Sequence, residues 1–82
     1  MLVLYFLPEP SDVRMGVSVP ARLGKATVRN KLRRRVKEAF RLSLPVPLSG
    51  QFVFIVRRAA SGASFRELRE AMGELIKRVE AR

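Results

Sequence analysis

The sequence predicts one small α+β domain over residues 1–82, in which two helices pack on a short sheet. Three observations lead to this fold class. Residues 2–6 and 13–19 have the composition and spacing of strands, residues 52–56 are apolar at every position, and two longer segments repeat apolar residues at helical spacing. The order is therefore strand, strand, helix, strand, helix. Eighty-two residues, 48% of them hydrophobic, suit one domain with a small core.

The first two strands are expected to form a hairpin. Residues 2–6 are apolar and aromatic, and Pro8 and Pro10 then favour a turn. In residues 13–19 the odd positions are apolar and the even positions are Arg, Gly and Ser, which is typical of a half-buried strand. Gly16 leaves the polar face of this strand open. It marks either a bulge or packing feature, or a place where another molecule approaches the sheet backbone.

The first helix is expected over residues 27–42, with Thr27 as its N-cap. Pro45 and Pro47 follow its end. One face carries an apolar stripe at helical spacing, formed by Val28, Leu32, Val36, Ala39 and Phe40.

The third strand, residues 52–56, is expected to be central and covered on both faces, because no position in it is polar. The second helix is expected to begin after Ser64. Ser64 and Glu67 have the spacing of a capping box. An apolar stripe again follows at helical spacing, formed by Phe65, Leu68, Met72, Leu75, Ile76 and Val79.

Composition excludes several kinds of chemistry. The chain has no Cys and no His, which excludes a Cys/His zinc site, a thiol nucleophile, disulfides and a histidine general base. No apolar run approaches the roughly 20 residues of a membrane span, and residues 1–7 lack the flanks of a signal peptide. We therefore expect a cytoplasmic protein that has no catalytic machinery of its own.

The positive charge is concentrated in one quarter of the chain. Seventeen Lys and Arg against seven Asp and Glu give a net charge of +10, and residues 22–41 hold a net +8 of it. Only Glu38 opposes the nine cations of this segment, which are Arg22, Lys25, Arg29, Lys31, Arg33, Arg34, Arg35, Lys37 and Arg41. The second helix, by contrast, mixes both signs of charge.

The first helix repels itself unless a partner supplies negative charge. Arg29/Arg33, Arg33/Lys37 and two further pairs are like charges at i,i+4, and each destabilises a helix by a few tenths of a kcal/mol. A polyanion would relieve this repulsion, and the planar fork of Arg suits phosphate oxygens. Asn30 can both donate and accept, which suits a sugar hydroxyl or a base edge, although a plain surface role is also possible.

Among polyanions, structured RNA fits best. A DNA-reading helix-turn-helix is all-helical, and no helix precedes this one at a short turn. A membrane-surface helix needs bulky apolar residues for insertion, whereas this stripe is needed against the sheet. We therefore expect no DNA and no membrane partner. Folded RNA, which is recognised by its shape and its phosphates, is the remaining candidate partner.

The same residues carry a family resemblance. Residues 24–41 resemble the signature helix of the bacterial ribonuclease P protein subunit, a family whose motif is Arg-Asn-Arg, two further basic residues, and a basic–acidic pair. The matching positions here are Arg29-Asn30-Lys31, Arg33-Arg34 and Lys37-Glu38. Residues 14–19, 51–58 and 64–78 resemble the flanking strands and final helix of the family, so the likeness covers nearly the whole chain.

The resemblance implies a function. Family members bind a catalytic RNA and form with it the endoribonuclease that removes the 5′ leader from precursor tRNA. The RNA carries the Mg²⁺-dependent chemistry, so no cofactor is expected on the protein. Charge and resemblance together give nine expected contacts with the catalytic RNA, which are Arg22, Lys25, Arg29, Asn30, Lys31, Arg33, Arg34, Lys37 and Arg41. The leader is expected in a cleft between the sheet and the first helix, at Arg14, Gly16 and Ser18. The family fold, similar to a ribosomal-protein-type domain, also implies a left-handed strand–helix–strand crossover, against the general right-handed rule.

Two features depart from the family pattern. Lys31 keeps the charge of the motif's second Arg but loses its fork. The family usually has a helix and a strand ahead of the position of Leu2, and that segment contributes aromatic residues to the leader cleft. Leader binding is therefore the role that this sequence supports least.

Two other functions are compatible with the charge and fold class. One is a ribosomal-type or chaperone-like module that binds structured RNA with no link to catalysis. The other is a stand-alone hydrolase, which the lack of catalytic residues disfavours.

Overall fold

The computed structural model describes residues 1–10 and 12–81. The chain forms β1 (Leu2–Pro8), β2 (Val13–Ser18), α1 (Ala26–Leu42), β3 (Gly50–Val56) and α2 (Phe65–Glu80). Short 3₁₀ turns, Ala21–Leu23 and Arg58–Gly62, precede the two helices. The predicted α+β class and element order are confirmed.

The three strands form one sheet in the order β1-β3-β2. The predicted hairpin is wrong, because β1 pairs antiparallel with β3 and β2 pairs parallel with β3 on its other edge. The apolar β3 thereby gains a hydrogen-bonded neighbour on both sides, whereas a β1–β2 hairpin would have left one of its edges unpaired. The β2–α1–β3 crossover joins parallel strands, and its left-handed sense stays a prediction.

Both helices cover the same face of the sheet. α1 contacts β2 and α2 contacts β1. Phe52, Phe54 and Val56 of β3 are buried beneath them, whereas the alternate residues Val53 and Ile55 are only half-buried. The prediction that β3 is covered on both faces is therefore wrong. The strand is central, yet the described residues cover it on one face only.

The core joins this covered face to the two helical stripes. From α1 it takes Leu32, Val36, Ala39 and Phe40, and from α2 it takes Leu68, Met72 and Ile76. The ring of Phe40 lies against both strand aromatics, with its centroid 5.2 Å from that of Phe52 and 5.8 Å from that of Phe54. Val28, which we placed on the first stripe, is 43% exposed and lies beyond this core.

The two helices begin differently. The capping box of α2 is confirmed, because the Ser64 hydroxyl accepts from the backbone N–H of Glu67 at 3.1 Å and the Glu67 carboxylate accepts from the N–H of Ser64 at 2.9 Å. Thr27 is not the N-cap of α1. Lys25 holds that position, two residues before the predicted N-cap and without a side-chain cap. The turn at Ala21–Leu23 and Gly24, with φ of 137°, lead into a helix that begins at Ala26.

Candidate RNA interface

The cations expected to contact RNA lie on the outer surface of α1 and on the loop before it. Packing of the apolar stripe against β2 and β3 turns the opposite side of the helix to solvent. Seven of the nine predicted residues are exposed, namely Arg22, Lys25, Asn30, Lys31, Arg34, Lys37 and Arg41. Arg29 and Arg33 are half-buried at the border of the stripe. Seven of the nine therefore lie on the solvent side of α1 and its preceding loop, and the other two lie at the edge of that side.

The described residues neutralise almost none of this positive charge. In residues 1–10 and 12–81, α1 has one ion pair, between Arg41 and Glu38 at i,i+3. The hydrogen bond from Arg41 holds the pKa of the Glu38 carboxyl below its usual range, and the same bond raises the pKa of the Arg41 guanidinium. The remaining cations of α1 have no carboxylate partner among these residues. The self-repulsion inferred from sequence is thus present in the fold.

Hydrogen bonds fix the direction of several of these side chains. Arg33 Nη1 donates to Asn30 Oδ1 at 2.9 Å, and Arg29 Nε donates to the Gly24 carbonyl at 3.1 Å. Each guanidinium keeps further N–H donors that can reach a ligand. A preorganised guanidinium loses less entropy when it binds phosphate than a free one.

The two flanks of α1 face different neighbours. Arg35 Nη2 donates to the carbonyl of Ala63 at 3.1 Å, so the flank of Lys31 and Arg35 faces the start of α2. At 3.6 residues per turn, Arg29 and Arg33 lie on the other flank. That flank points away from α2 and toward the outer side of edge strand β2, which α1 contacts.

The residues expected to bind the leader lie on the uncovered face of the sheet. Arg14, Gly16 and Ser18 pair with Gln51, Val53 and Ile55 of β3, the alternate positions to the buried ones. They therefore point away from α1, and the cleft between sheet and helix that the resemblance implies does not enclose them in this structure. A Cβ placed on Gly16 would meet nothing within 4 Å, so this part of the face is open.

Sequence reasoning missed Tyr5, which shares this face. Tyr5 pairs with Val53 from the opposite side to Gly16, so the three residues form one row across the sheet. Its side chain is 62% exposed. The available signal was period-2 alternation, which places odd positions of residues 2–8 on one face, but an all-apolar strand hides which face is open.

The described part of the chain has neither a group of metal ligands nor a membrane-spanning helix. Across residues 1–10 and 12–81, no three His, Cys, Asp or Glu side chains are grouped so that they could hold a metal ion. Neither described helix is long and apolar enough to cross a bilayer.

A small α+β fold with one long cationic helix surface, left almost uncompensated by the described residues, is typical of a protein that binds a structured polyanion. Comparison with known proteins specifies the family. The family model named Ribonuclease P matches residues 1–80. The chain belongs to the ribonuclease P protein family and is a protein subunit of ribonuclease P, an enzyme of tRNA processing with an RNA partner.

Individual relatives agree with this assignment. The chain is 38% identical over 82 residues to the ribonuclease P protein component of Clostridioides difficile, with 96% of this chain and 72% of the relative covered. It is 40% identical over 82 residues to that of Clostridium kluyveri, with 95% and 73% covered. The solved RNase P protein of Thermotoga maritima superposes with a TM-score of 0.85 at 37% identity, over 94% of this chain and 76% of that one.

Proposed function

We propose that α1 and the loop before it dock this protein on the catalytic RNA of ribonuclease P, while the uncovered face of the sheet receives the 5′ leader of precursor tRNA. The RNA carries the cleavage chemistry, and the protein binds and orients, as a single RNA-binding domain acting in the cytoplasm. The observation that carries the proposal is the exposed cationic surface of α1, whose charge the described residues leave almost uncompensated.

The chemistry of α1 suits a folded RNA surface. Lys31, Arg34, Lys37 and Arg41 project from successive turns, so together they follow a line of phosphates along the helix axis. Each phosphate that they neutralise releases condensed counterions, which makes binding strong at low salt and steeply salt-dependent. Arg22 and Lys25 extend the same surface beyond the N-terminus of the helix.

The uncovered sheet face suits an unpaired RNA strand. Tyr5 offers an exposed ring on which a base can stack, and the absence of a side chain at Gly16 lets the strand lie close to the sheet. Arg14 lies at the border of this face, where it makes a long, exposed ion pair with Asp12 at 3.6 Å. Such a pair contributes little energy, so Arg14 can turn to a phosphate at small cost.

Magnesium belongs in this proposal to the RNA–protein holoenzyme. Compact folding of RNA brings phosphates together, and divalent cations offset their repulsion. The cations of α1 add fixed positive charge at the same surface, so the holoenzyme should reach its active state at a lower Mg²⁺ concentration than the RNA alone.

The decisive experiment is precursor-tRNA cleavage by the cognate catalytic RNA at low Mg²⁺, with and without this protein. We expect the protein to increase the cleavage rate and to have no activity without the RNA. A protein that gives no enhancement, yet binds ribosomal RNA, would instead be the ribosomal-type or chaperone-like module. Cleavage by the protein alone would identify a stand-alone hydrolase.

A further inference from the structure

A second, differently built site lies between α1 and the start of α2. The flank of α1 and the first residue of α2 line an open surface depression of about 510 Å³. Its lining combines three cations, one carboxylate and one aromatic ring, supplied by Lys31, Arg34, Arg35, Glu38 and Phe65. Arg35 and Phe65 belong to none of the RNA contacts expected from sequence.

Phe65 is an aromatic residue that the core uses only in part. Its ring packs against the edge of the core but remains half-buried. It lines the depression on the α1 side and also a neighbouring one of about 420 Å³ that includes Arg66 and Arg69. The ring therefore has cations on both sides, although Arg66 of the second depression is paired with Glu70 at 3.3 Å. An apolar core contact alone does not require this surrounding charge.

The position of the ring relative to α1 is fixed. Arg35 reaches across to the carbonyl of Ala63, two residues before Phe65, at 3.1 Å. Phe65 is also the first residue of a helix whose start is held by the Ser64–Glu67 capping box. One hydrogen bond, from Arg35 to Ala63, therefore joins the two walls of the depression, and the capping box fixes the wall formed by α2, so the site exists before any ligand arrives.

The groups in the depression match the parts of one nucleotide. An aromatic ring stacks with any base, and Lys31 and Arg34 bind phosphate oxygens. The Glu38 carboxylate already accepts from Arg41 through both oxygens, and its remaining lone pairs can accept from a base amino group or a ribose 2′-hydroxyl. A simple anion would use the cations but not the ring or the carboxylate.

We propose that this depression binds a single unpaired nucleotide of RNA, with its base stacked on Phe65 and its phosphate on Lys31 and Arg34. The inference rests on the proposed function, since the catalytic RNA is the molecule that presents the nucleotide. It adds a base-stacking contact, which phosphate binding along α1 does not provide.

The test compares Phe65→Leu with Phe65→Tyr in binding to the catalytic RNA over a series of salt concentrations. Leucine keeps apolar volume against the core and loses the ring, whereas tyrosine keeps the ring. We expect Phe65→Leu to weaken binding at least about fivefold with an unchanged slope against log salt, because stacking releases no counterions. Phe65→Tyr should bind as the unchanged protein does. Equal binding by Phe65→Leu would overturn the inference.

Phe6→Leu is the matched control. Phe6 is also half-buried against the core, with its ring centroid 4.8 Å from that of Phe52. It lies on β1, beside Arg78 of α2 and not among the cations of α1. We expect it to lower the melting temperature without changing RNA affinity. If Phe65→Leu does not fold, ultraviolet crosslinking of the unchanged complex decides: a nucleotide adduct on Phe65 supports the site, and adducts confined to other residues contradict it. If the unchanged protein does not bind the RNA at all, the proposed function itself fails.

Discussion

Arg33 donates a hydrogen bond from Nη1 to Oδ1 of Asn30, at 2.9 Å and one turn earlier on α1. The bond orients the guanidinium and leaves the amide N–H groups of Asn30 free to donate to RNA. We predict that Asn30→Ala weakens binding to the catalytic RNA both by losing this amide and by loosening Arg33. A double-mutant cycle between the two positions should show a coupling of about 0.5–1 kcal/mol in RNA binding.

The salt dependence separates the two effects in this cycle. Asn30→Ala removes no charge, so its slope of log affinity against log salt should stay that of the unchanged protein. Additive losses in the cycle would show that Asn30 and Arg33 act independently, and that their hydrogen bond does not organise the interface.

Arg34 tests phosphate contact directly. It is exposed and has no carboxylate partner among the described residues. Arg34→Ala should weaken RNA binding and flatten the slope of log affinity against log salt by about 0.7–0.9, the value for one lost phosphate contact. Arg78→Ala is the control, since it removes the same charge from the last turn of α2. If both variants shift the slope equally, only total charge matters and the α1 surface has no special role.

Lys25 is a position where stability and binding should oppose each other. It occupies the N-cap of α1 without a capping side chain, and the first turn has no acidic residue. Lys25→Asp supplies a cap and a favourable charge at the N-terminus of the helix, so we expect a gain of about 0.5–1 kcal/mol in the free energy of unfolding. RNA affinity should fall, because a cation facing phosphate becomes an anion.

Lys25→Ser separates the effect of the helix cap on stability from the effect of the negative charge on RNA affinity. It should retain most of the gain in stability while losing less RNA affinity than Lys25→Asp. Denaturant unfolding and RNA titration on the same samples measure both quantities. A gain in affinity with either variant would contradict a phosphate contact at this position.

Features that depend on neighbouring residues could be predicted from the sequence, whereas the pairing of the strands could not. The Ser64–Glu67 box follows from spacing between neighbours in the chain, and the cationic face of α1 follows from helical periodicity, so both were correct. The partner of β1 depends on which distant strand competes for its edge. A local sequence pattern therefore does not predict the antiparallel register of Leu4 with Phe54. For the same reason Tyr5 was missed, because its exposure depends on where two helices pack.

Ser64 tests the structural side of the molecule. Ser64→Ala removes the acceptor for the Glu67 N–H and should lower the free energy of unfolding by about 0.5–2 kcal/mol. RNA affinity should stay nearly unchanged, because the hydroxyl faces its own helix. A loss of RNA affinity without a loss of stability would contradict the capping role.

Glu67 gives this box a pH dependence. Hydrogen bonds from the backbone N–H and the side chain of Ser64 hold the pKa of the Glu67 carboxyl below its usual range in the folded state. The stabilisation is therefore fully present above the unfolded-state pKa and is lost as the pH falls through the folded-state value. Glu67→Gln should lose this part of the acid sensitivity. Unfolding midpoints measured from pH 6 down to pH 3 check it, and parallel curves for both proteins would contradict it.

Two glycines of the sheet should respond oppositely to alanine. Gly50 starts β3 with φ of 150°, and a Cβ there would clash with the Leu7 carbonyl oxygen. Backbone on the neighbouring strand cannot move away without breaking the β1–β3 pairing, so Gly50→Ala should cost at least about 2 kcal/mol of stability.

Gly16→Ala meets nothing within 4 Å and should leave stability unchanged or slightly raised. The methyl group would nevertheless stand on the face proposed for the leader, so Gly16→Ala should weaken binding of precursor tRNA to the holoenzyme more than binding of mature tRNA. If the ratio of precursor-tRNA affinity to mature-tRNA affinity is the same for the variant and the unchanged protein, Gly16 is not part of the leader site.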